Sequence, residues 1–280
     1  MKEKLYQTCI ELTNGKITSR FMYKFGRSKY SRKFIPLFVD KYKINTAEFE
    51  EKLEHFGSLH AFFIRHLKEG THTICNEKNC VISPADSVIE DFGKITEEAP
   101  IVVKGRTYHV DEMIGCPEIT QKYLGGTFIV FYLSPSDYHR FHAPCAGDIV
   151  HKNILGKKSF PVNKLSMKYG KDPLSKNYRN VSELKHENGH IAVIKVGAMN
   201  INTIVRTHPT DHLEKGEEMG YFSFGSTIVL LFEKGTFEMD ESILAPYPIR
   251  VGEKIGRIVA EKKVEGNEHV QNLFAEPVLS

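Results

Sequence analysis

The residues best able to do chemistry lie in three short stretches. In the first, Ser226 follows Gly225 and opens onto Ile228–Phe232, an unbroken apolar run that predicts a strand buried on both faces. Gly225 has no Cβ, so another group can approach its carbonyl closely. A hydroxyl beside such a carbonyl can attack it once a base takes its proton. Gly-Ser-Thr is also a common tripeptide, and on its own a turn glycine followed by a strand-opening serine is the plainer account of it. The second stretch runs from Phe128 to Pro144 and carries Tyr138, His139, Arg140 and His142. Ser134 can N-cap, Pro135 suits the first helical position and Asp137 falls at the capping-box acid. The spacing predicts a short helical turn ended by Pro144, with His139 and His142, three apart, on one side. In the third stretch, Val81–Ile89, Asp86 sits in a tight turn between two short apolar strands; a turn aspartate bonding its own backbone is the plainer explanation. Together Asp86, His142 and Ser226 supply an orienting carboxylate, a base and a nucleophile.

The elements that must position these residues read as a helical N-terminal arm followed by a β body. The chain has 280 residues, 41% hydrophobic and 26% charged, an ordinary globular balance. No apolar run reaches about 18 residues, so no transmembrane helix is expected, and the first residues lack the apolar core of a signal peptide. Five cysteines at scattered spacings suggest free thiols in a reducing compartment. Cys75 and Cys80 with His72 fit no usual zinc spacing, so no metal is expected. The net charge of +3 is uneven: residues 1–43 hold eleven Lys and Arg against three acids, a net +8, leaving −5 for residues 44–280. Such a basic arm needs an anionic partner, and with no nucleic-acid-binding motif an anionic membrane surface is the expected one.

Residues 3–13 and 17–43 read as helical, with Phe21 and Phe25 on one face and basic residues between the apolar ones. The same pattern suits a surface helix packed on the body. Thr46–Leu67 continues the helical reading. From about residue 72 short strands alternate with Gly, Pro, Asn and Asp, at Cys80–Ser83, Ser87–Phe92, Ile101–Val103, Phe128–Leu133, Gly147–Val150, His190–Val196, Asn202–Arg206, Thr227–Glu233 and Arg257–Ala260. The expected class is α+β, with a mainly antiparallel, sandwich- or barrel-like β body over residues 71–280 and a helical, membrane-associating arm over residues 1–70. Lys215–Gly220 echoes Val251–Gly256, each a turn with charges and glycines before a strand, as in a duplicated hairpin.

Tyr138-His139-Arg140-Phe141-His142-Ala143-Pro144 resembles the Tyr-His-Arg-x-His-x-Pro motif of the prokaryotic-type, pyruvoyl-dependent phosphatidylserine decarboxylases. Phe224-Gly225-Ser226-Thr227 is similar to their Leu-Gly-Ser-Thr cleavage site, with Phe224 in place of the usual leucine. Ser83-Pro84-Ala85-Asp86 and Val196-Gly197-Ala198 match two further family stretches, and the order from about residue 50 to 260 agrees. The resemblance implies a proenzyme that cuts itself between Gly225 and Ser226 into a β chain, 1–225, and an α chain, 226–280, and converts Ser226 into a covalent pyruvoyl group. That carbonyl serves as electron sink, so pyridoxal phosphate is unnecessary. The substrate implied is phosphatidylserine, bound through a Schiff base at residue 226 and released as phosphatidylethanolamine. His139 is the candidate proton donor, with His142 the alternative, as an imidazole near its ordinary pKa of about 6.5, and Tyr138 with His139 the candidate substrate contacts. The implied location is peripheral, on the cytoplasmic face of the cell membrane; a homo-oligomer is left open. Two alternatives remain at this level: a serine hydrolase using Asp86, His142 and Ser226, though Gly-x-Ser-x-Gly is absent, and a non-enzymatic membrane-surface binding module.

Overall fold

Ile228–Phe232 lies within the doubly buried strand that its composition predicts, at the centre of the largest sheet. The computed structural model describes residues 16–96, 98, 100–103, 105–157, 172–197, 204–223 and 226–260. In chain order the strands are β1 (Cys80–Ile82), β2 (Ser87–Lys94), β3 (Pro100–Val103), β4 (Arg106–His109), β5 (Thr127–Leu133), β6 (Arg140–His142), β7 (Gly147–Leu155) and β8 (Arg179–His186). They continue with β9 (Gly189–Gly197), β10 (Ile204–Arg206), β11 (His212–Leu213), β12 (Glu218–Phe222), β13 (Ser226–Phe232), β14 (Phe237–Met239), β15 (Tyr247–Ile249) and β16 (Lys254–Ile258).

An eight-stranded sheet runs in the order β11-β7-β8-β9-β13-β5-β2-β15, and its neighbours are antiparallel. Strand β13 is bonded along both edges, with Ser226 opposite Leu133 of β5 and Gly197 of β9. Its side chains alternate between two cores. Ile228, Leu230 and Phe232 enter the layer covered by two three-stranded sheets, β1-β16-β14 and β10-β12-β6. Val229 and Leu231 face the other layer, closed by the β3-β4 hairpin and the short helices at Val110–Ile114 and Pro117–Thr120. The expected α+β, mainly antiparallel class holds. The barrel-like alternative does not: the large sheet is open, with β11 and β15 as its edges.

Several strands carry too many polar residues to be read from alternation alone. Strand β8 buries Asn180, Ser182 and Glu183, and Glu183 is held by Lys122 Nζ at 3.0 Å and the Tyr123 hydroxyl at 3.1 Å. A buried carboxylate with two donors satisfies the interior, although its sequence looks like a loop.

In the N-terminal region the expected continuous helix over 17–43 is broken. Helix α1 (Lys16–Arg27) and helix α2 (Ile35–Tyr42) flank a 3-10 segment, Lys29–Phe34. The break follows from Ser28, whose hydroxyl donates to the Phe25 carbonyl at 2.7 Å and diverts the backbone, and from Pro36 at the start of α2. The expected helix over Thr46–Leu67 reduces to two 3-10 turns and helix α3 (Leu59–Phe63), N-capped by Ser58. Aromatic packing replaces the regular helix: Phe49, Phe56, Phe62 and Phe63 are buried together, and their ring pairs sit edge to face. The stretch 3–13 lies outside the described residues, as does the start of the strand expected at Asn202–Arg206.

The echo between Lys215–Gly220 and Val251–Gly256 is structural. Gly216 (φ 82°) and Gly252 (φ 88°) both take the left-handed conformation that favours glycine, and both pack against Ile74. Gly216 N–H donates to the Ala143 carbonyl and Ala143 N–H to the Glu217 carbonyl; Gly252 N–H donates to the Ser83 carbonyl and Ser83 N–H to the Glu253 carbonyl. The two halves then bond to each other, Ile82 N–H to the Pro144 carbonyl at 3.0 Å and His142 N–H to the Pro84 carbonyl at 2.8 Å.

At Gly126 a Cβ would strike the Phe232 carbonyl oxygen at the end of β13. Gly126→Ala is expected to lower the unfolding free energy by about 3 kcal/mol, whereas Gly57→Ala, where a Cβ meets nothing within 4 Å, should change it by less than about 0.5 kcal/mol. Denaturant titration of the two variants checks this; similar losses would mean that the approach to β13 is not tight.

Candidate active site

Among the buried polar side-chain atoms that have no hydrogen-bond partner among the described residues, three lie in the candidate stretches: Ser226 Oγ, His139 Nε2 and His142 Nε2. Leaving such atoms unpaired costs on the order of 1–3 kcal/mol each. Ser226 is fully buried at the first position of β13. Gly225 and Phe224 lie outside the described residues.

The histidines are not on a helical turn. Pro135 and Ser136 form only a turn, closed by the Asp137 carboxylate accepting the Ser134 N–H at 2.7 Å and by Asp137 N–H donating to the Ser134 carbonyl at 3.0 Å. This is the predicted capping-box contact without the helix, because pairing with β12 takes the following backbone. Phe222 N–H donates to the His139 carbonyl at 2.9 Å, and Arg140–His142 form β6. The expectation that one helical face presents both rings is therefore corrected. His139 lies opposite Phe222, four residues before Ser226, while His142 lies opposite Glu218.

Each ring is fixed by a backbone carbonyl. His139 Nδ1 bonds the Asp137 carbonyl at 2.8 Å, and His142 Nδ1 bonds the Gly216 carbonyl at 2.9 Å. A carbonyl only accepts, so Nδ1 carries the proton and Nε2 presents its lone pair. Burial lowers both pKa values, to about 4 for His139, whose ring packs edge-on to Phe63. His139 is thus neutral around pH 7, not the ring of ordinary pKa expected from its type.

Asp86 does not bond His142. Its Oδ1 accepts from His72 Nε2 at 2.8 Å and from Val251 N–H at 2.9 Å, and Arg250 Nε lies 3.9 Å from Oδ2. The Tyr138 ring stands between, 5.3 Å from His72 and 5.9 Å from His142 in a stacked arrangement. The Asp86 charge still bears on His139 and His142 through space, raising the proton affinity of each against burial. The orienting role expected of Asp86 toward His142 is taken here by the Gly216 carbonyl. A cavity of about 450 Å³ opens beside Asp86, Tyr138, Arg65 and Arg250.

Four residues have roles that the sequence does not assign. His72, which in the sequence figures only beside Cys75 and Cys80 at a spacing that fits no zinc site, donates to the Asp86 carboxylate. Gly216 was visible only through the internal echo. Arg140 ties the N-terminal region to the body: its guanidinium donates to the Ile64 carbonyl at 2.8 Å and pairs with Glu218 at 2.8 Å. His60, in α3, places Nε2 3.2 Å from the hydroxyl of Ser223. Its burial beside an apolar helix face gives it no sequence signal.

A serine held out of water at the start of a strand bonded along both edges, and two buried imidazoles with free Nε2 atoms on the segment paired with the preceding strand β12, supply the groups that proton transfer at a serine needs. A sequence model of the family described as phosphatidylserine decarboxylase matches residues 59–257. The phosphatidylserine decarboxylase proenzyme of Anoxybacillus flavithermus is 51% identical over 263 residues, covering 94% of this chain and 99% of the relative. Those of Geobacillus sp. strain WCH70 (51% over 256 residues, 91% and 99%) and Bacillus thuringiensis (45% over 262 residues, 94% and 100%) are similar over comparable lengths. The chain belongs to the phosphatidylserine decarboxylase family. The hydrolase and binding-module alternatives find no support in these likenesses.

In the Ser226→Ala chain, ring ¹⁵N shifts should report the Nδ1–H tautomer for His139 and His142 at pH 7, with His139 still neutral at pH 5.5. A His139 titrating near 6.5 would show that its ring is neither buried nor held by the Asp137 carbonyl. Because its folded pKa lies below the unfolded value, its contribution to stability is complete above about pH 6.5 and declines as pH falls toward 4, by up to about 1.4 kcal/mol per pH unit.

Proposed function

We propose that the chain decarboxylates phosphatidylserine to phosphatidylethanolamine after cutting itself between Gly225 and Ser226. The observation that carries this reading is the buried, unpartnered Ser226 hydroxyl in a chain whose 51%-identical relatives are named proenzymes.

In self-cleavage His142 Nε2 takes the Ser226 hydroxyl proton. The oxygen attacks the Gly225 carbonyl carbon, the peptide C–N bond breaks, and an ester replaces the amide. Loss of the Ser226 α-proton with cleavage of its Cβ–Oγ bond releases the Gly225 carboxylate. Water then converts the remaining dehydroalanine to a carbonyl and ammonia, leaving a β chain, 1–225, and an α chain, 226–280. The Gly216 carbonyl supports this by fixing the His142 tautomer, and Asp86 favours the charge that forms on the ring. The residues present suit a pyruvoyl group at position 226, because the hydroxyl lost in making it has no hydrogen bond to break. That group supplies a carbonyl able to accept the electrons released when a carboxylate departs.

His139 is the residue proposed to return a proton to the carbon that loses its carboxylate. In the uncut chain it is neutral; an anionic substrate beside it raises its proton affinity, as Asp86 already does. Tyr138 lines the adjacent cavity of about 450 Å³ and is the proposed substrate contact together with His139. The N-terminal region is proposed to dock on an anionic membrane surface from the cytoplasmic side. Phe21, Met22, Phe34 and Leu37 are exposed there, interleaved with Lys24, Arg32 and Lys33, and apolar side chains with cations among them suit a headgroup boundary. Among the described residues no helix is long and apolar enough to cross a membrane.

Mass spectrometry of Ser226→Ala should find one full-length chain and no decarboxylase activity; recovery of a 226–280 fragment would remove Ser226 from the cleavage step. Asp86→Asn should slow cleavage by roughly 10²-fold, less than the roughly 10⁴-fold found where an aspartate bonds the base directly. Cleavage at the wild-type rate, followed on a gel, would sever Asp86 from the reaction. His139→Ala should still be cut and retain substrate on the α chain after borohydride reduction, yet release little product; an uncut chain or normal turnover would mean that the two histidines do not divide the work in this way.

A further inference from the structure

His139 owes its position to the Asp137 carbonyl, and that carbonyl has a second donor. Arg65 Nη2 lies 3.2 Å from it and 3.0 Å from the Ser136 carbonyl, while His139 Nδ1 lies 2.8 Å from the same Asp137 oxygen. Arg65 Nη1 donates to a third carbonyl, that of Phe62, at 3.4 Å. The guanidinium packs on the rings of Phe49 and Phe62, 4.9 and 5.1 Å from their centroids, and the residue is only 4% exposed. Its backbone is fixed as well, since Arg140 Nε donates to the Arg65 carbonyl at 3.3 Å.

None of these partners neutralises it. Among the described residues every hydrogen bond of the Arg65 side chain goes to a carbonyl, and its Nε has none. Burial lowers its pKa to about 10, so it stays charged at pH 7. Burying a cation with no anion against it is costly, and a neutral amide could bridge the same carbonyls without that cost. In a low-dielectric interior the charge acts at range. Two charges bear on the His139 ring in opposite senses: Arg65 lowers its proton affinity and Asp86 raises it. The other neighbours are committed or apolar. Asp137 turns its carboxylate to the Ser134 N–H, Arg140 on β6 is paired with Glu218, and α3 presents the edge of Phe63.

We propose that Arg65 is a positioning residue for His139: it pins the carbonyl that holds the imidazole and places an unneutralised positive charge near the ring. Its catalytic consequence rests on the reading of His139 as proton donor. A cation near an imidazolium weakens its hold on the proton, and a weaker hold makes a stronger acid toward a carbanion. The same charge leaves fewer rings protonated at a given pH until an anionic substrate offsets it. Arg65 follows α3, so the aromatic cluster of the N-terminal region is joined to the reacting side chain through one shared carbonyl.

Two measurements test this. In the Ser226→Ala chain with residue 65 unchanged, NMR should detect coupling through the hydrogen bond from both Arg65 Nη and His139 Nδ1 to the Asp137 carbonyl carbon. Absence of the Arg65 coupling would overturn the proposal whatever the variants do. In the same chain Arg65→Gln should raise the His139 titration midpoint by about one pH unit or more, and Arg65→Lys, which keeps the charge, should preserve most of the depression. A midpoint unmoved in folded Arg65→Gln would also overturn it. In the active enzyme Arg65→Gln should still be cut, because His142 is held by the Gly216 carbonyl. Its turnover should fall roughly tenfold, and the alkaline limb of kcat should move to higher pH, because a ring that binds its proton more tightly stays protonated further up the scale. A loss of packing alone would lower the rate without moving that limb. A raised His139 midpoint with an unmoved kcat limb would support the hold of Arg65 on the ring and remove His139 from the proton-donor role.

Discussion

Two backbone hydrogen bonds, Ile82 N–H to the Pro144 carbonyl and His142 N–H to the Pro84 carbonyl, hold the candidate site together. They join two loops of the same design, Ser83-Pro84-Ala85-Asp86 and His142-Ala143-Pro144. Each loop is braced from behind by a left-handed glycine turn, Gly252 for the first and Gly216 for the second. Proline explains the choice of partners: it has no N–H to give but keeps a carbonyl, so each loop accepts at its proline and donates from the other side. Asp86 and His142 are 56 positions apart in sequence, and this exchange makes them neighbours. The Gly216 turn serves twice, since its N–H braces Ala143 while its carbonyl fixes His142.

That arrangement also explains how the site keeps reactive atoms unpaired. Three buried atoms without partners together represent several kcal/mol of unfavourable free energy by the usual scale, and they persist only where surrounding structure over-determines them. Both imidazoles are held by Nδ1, so neither can rotate to find a partner for Nε2. Ser226 is held by ladders on both sides of β13, and a strand end bonded to two neighbours cannot turn its side chain out of the core. The unsatisfied atoms are therefore a consequence of positions settled elsewhere.

Much of this was legible in the chain. The apolar run after Ser226 announced a central strand, the turn residues around Asp86 and Pro135 announced their turns, and the two glycine turns betrayed the duplication. What stayed hidden shares one physical cause. Strand β8 and the Tyr138–His142 segment bury polar side chains against partners distant in sequence, such as Glu183 against Lys122 and Arg140 against Glu218. Local periodicity cannot register a hydrogen bond across 61 or 78 positions. The same blindness produced the helical turn under His139 and His142: its cap was correct, but β12 offered the following backbone a better set of bonds. It also assigned Asp86 to His142, where the nearer His72 takes the carboxylate.

The central position of β13 bears on what a cut before Ser226 would do. Residues 226–232 are bonded over seven positions to β5 on one side and over seven to β9 on the other, and both of those strands precede Gly225 in the chain. Cleavage would break a covalent bond but none of these ladders, and Ile228, Leu230 and Phe232 would stay in one core while Val229 and Leu231 stay in the other. The new terminus would be as rigid as the strand it ends. A group built there needs no binding site of its own, because the sheet that buried the serine already fixes its position relative to His139 and the Asp137 carbonyl that orients it. A cut at the mouth of this fully buried strand would therefore break the chain without loss of the fold, which a cut inside an unsupported segment would not ensure.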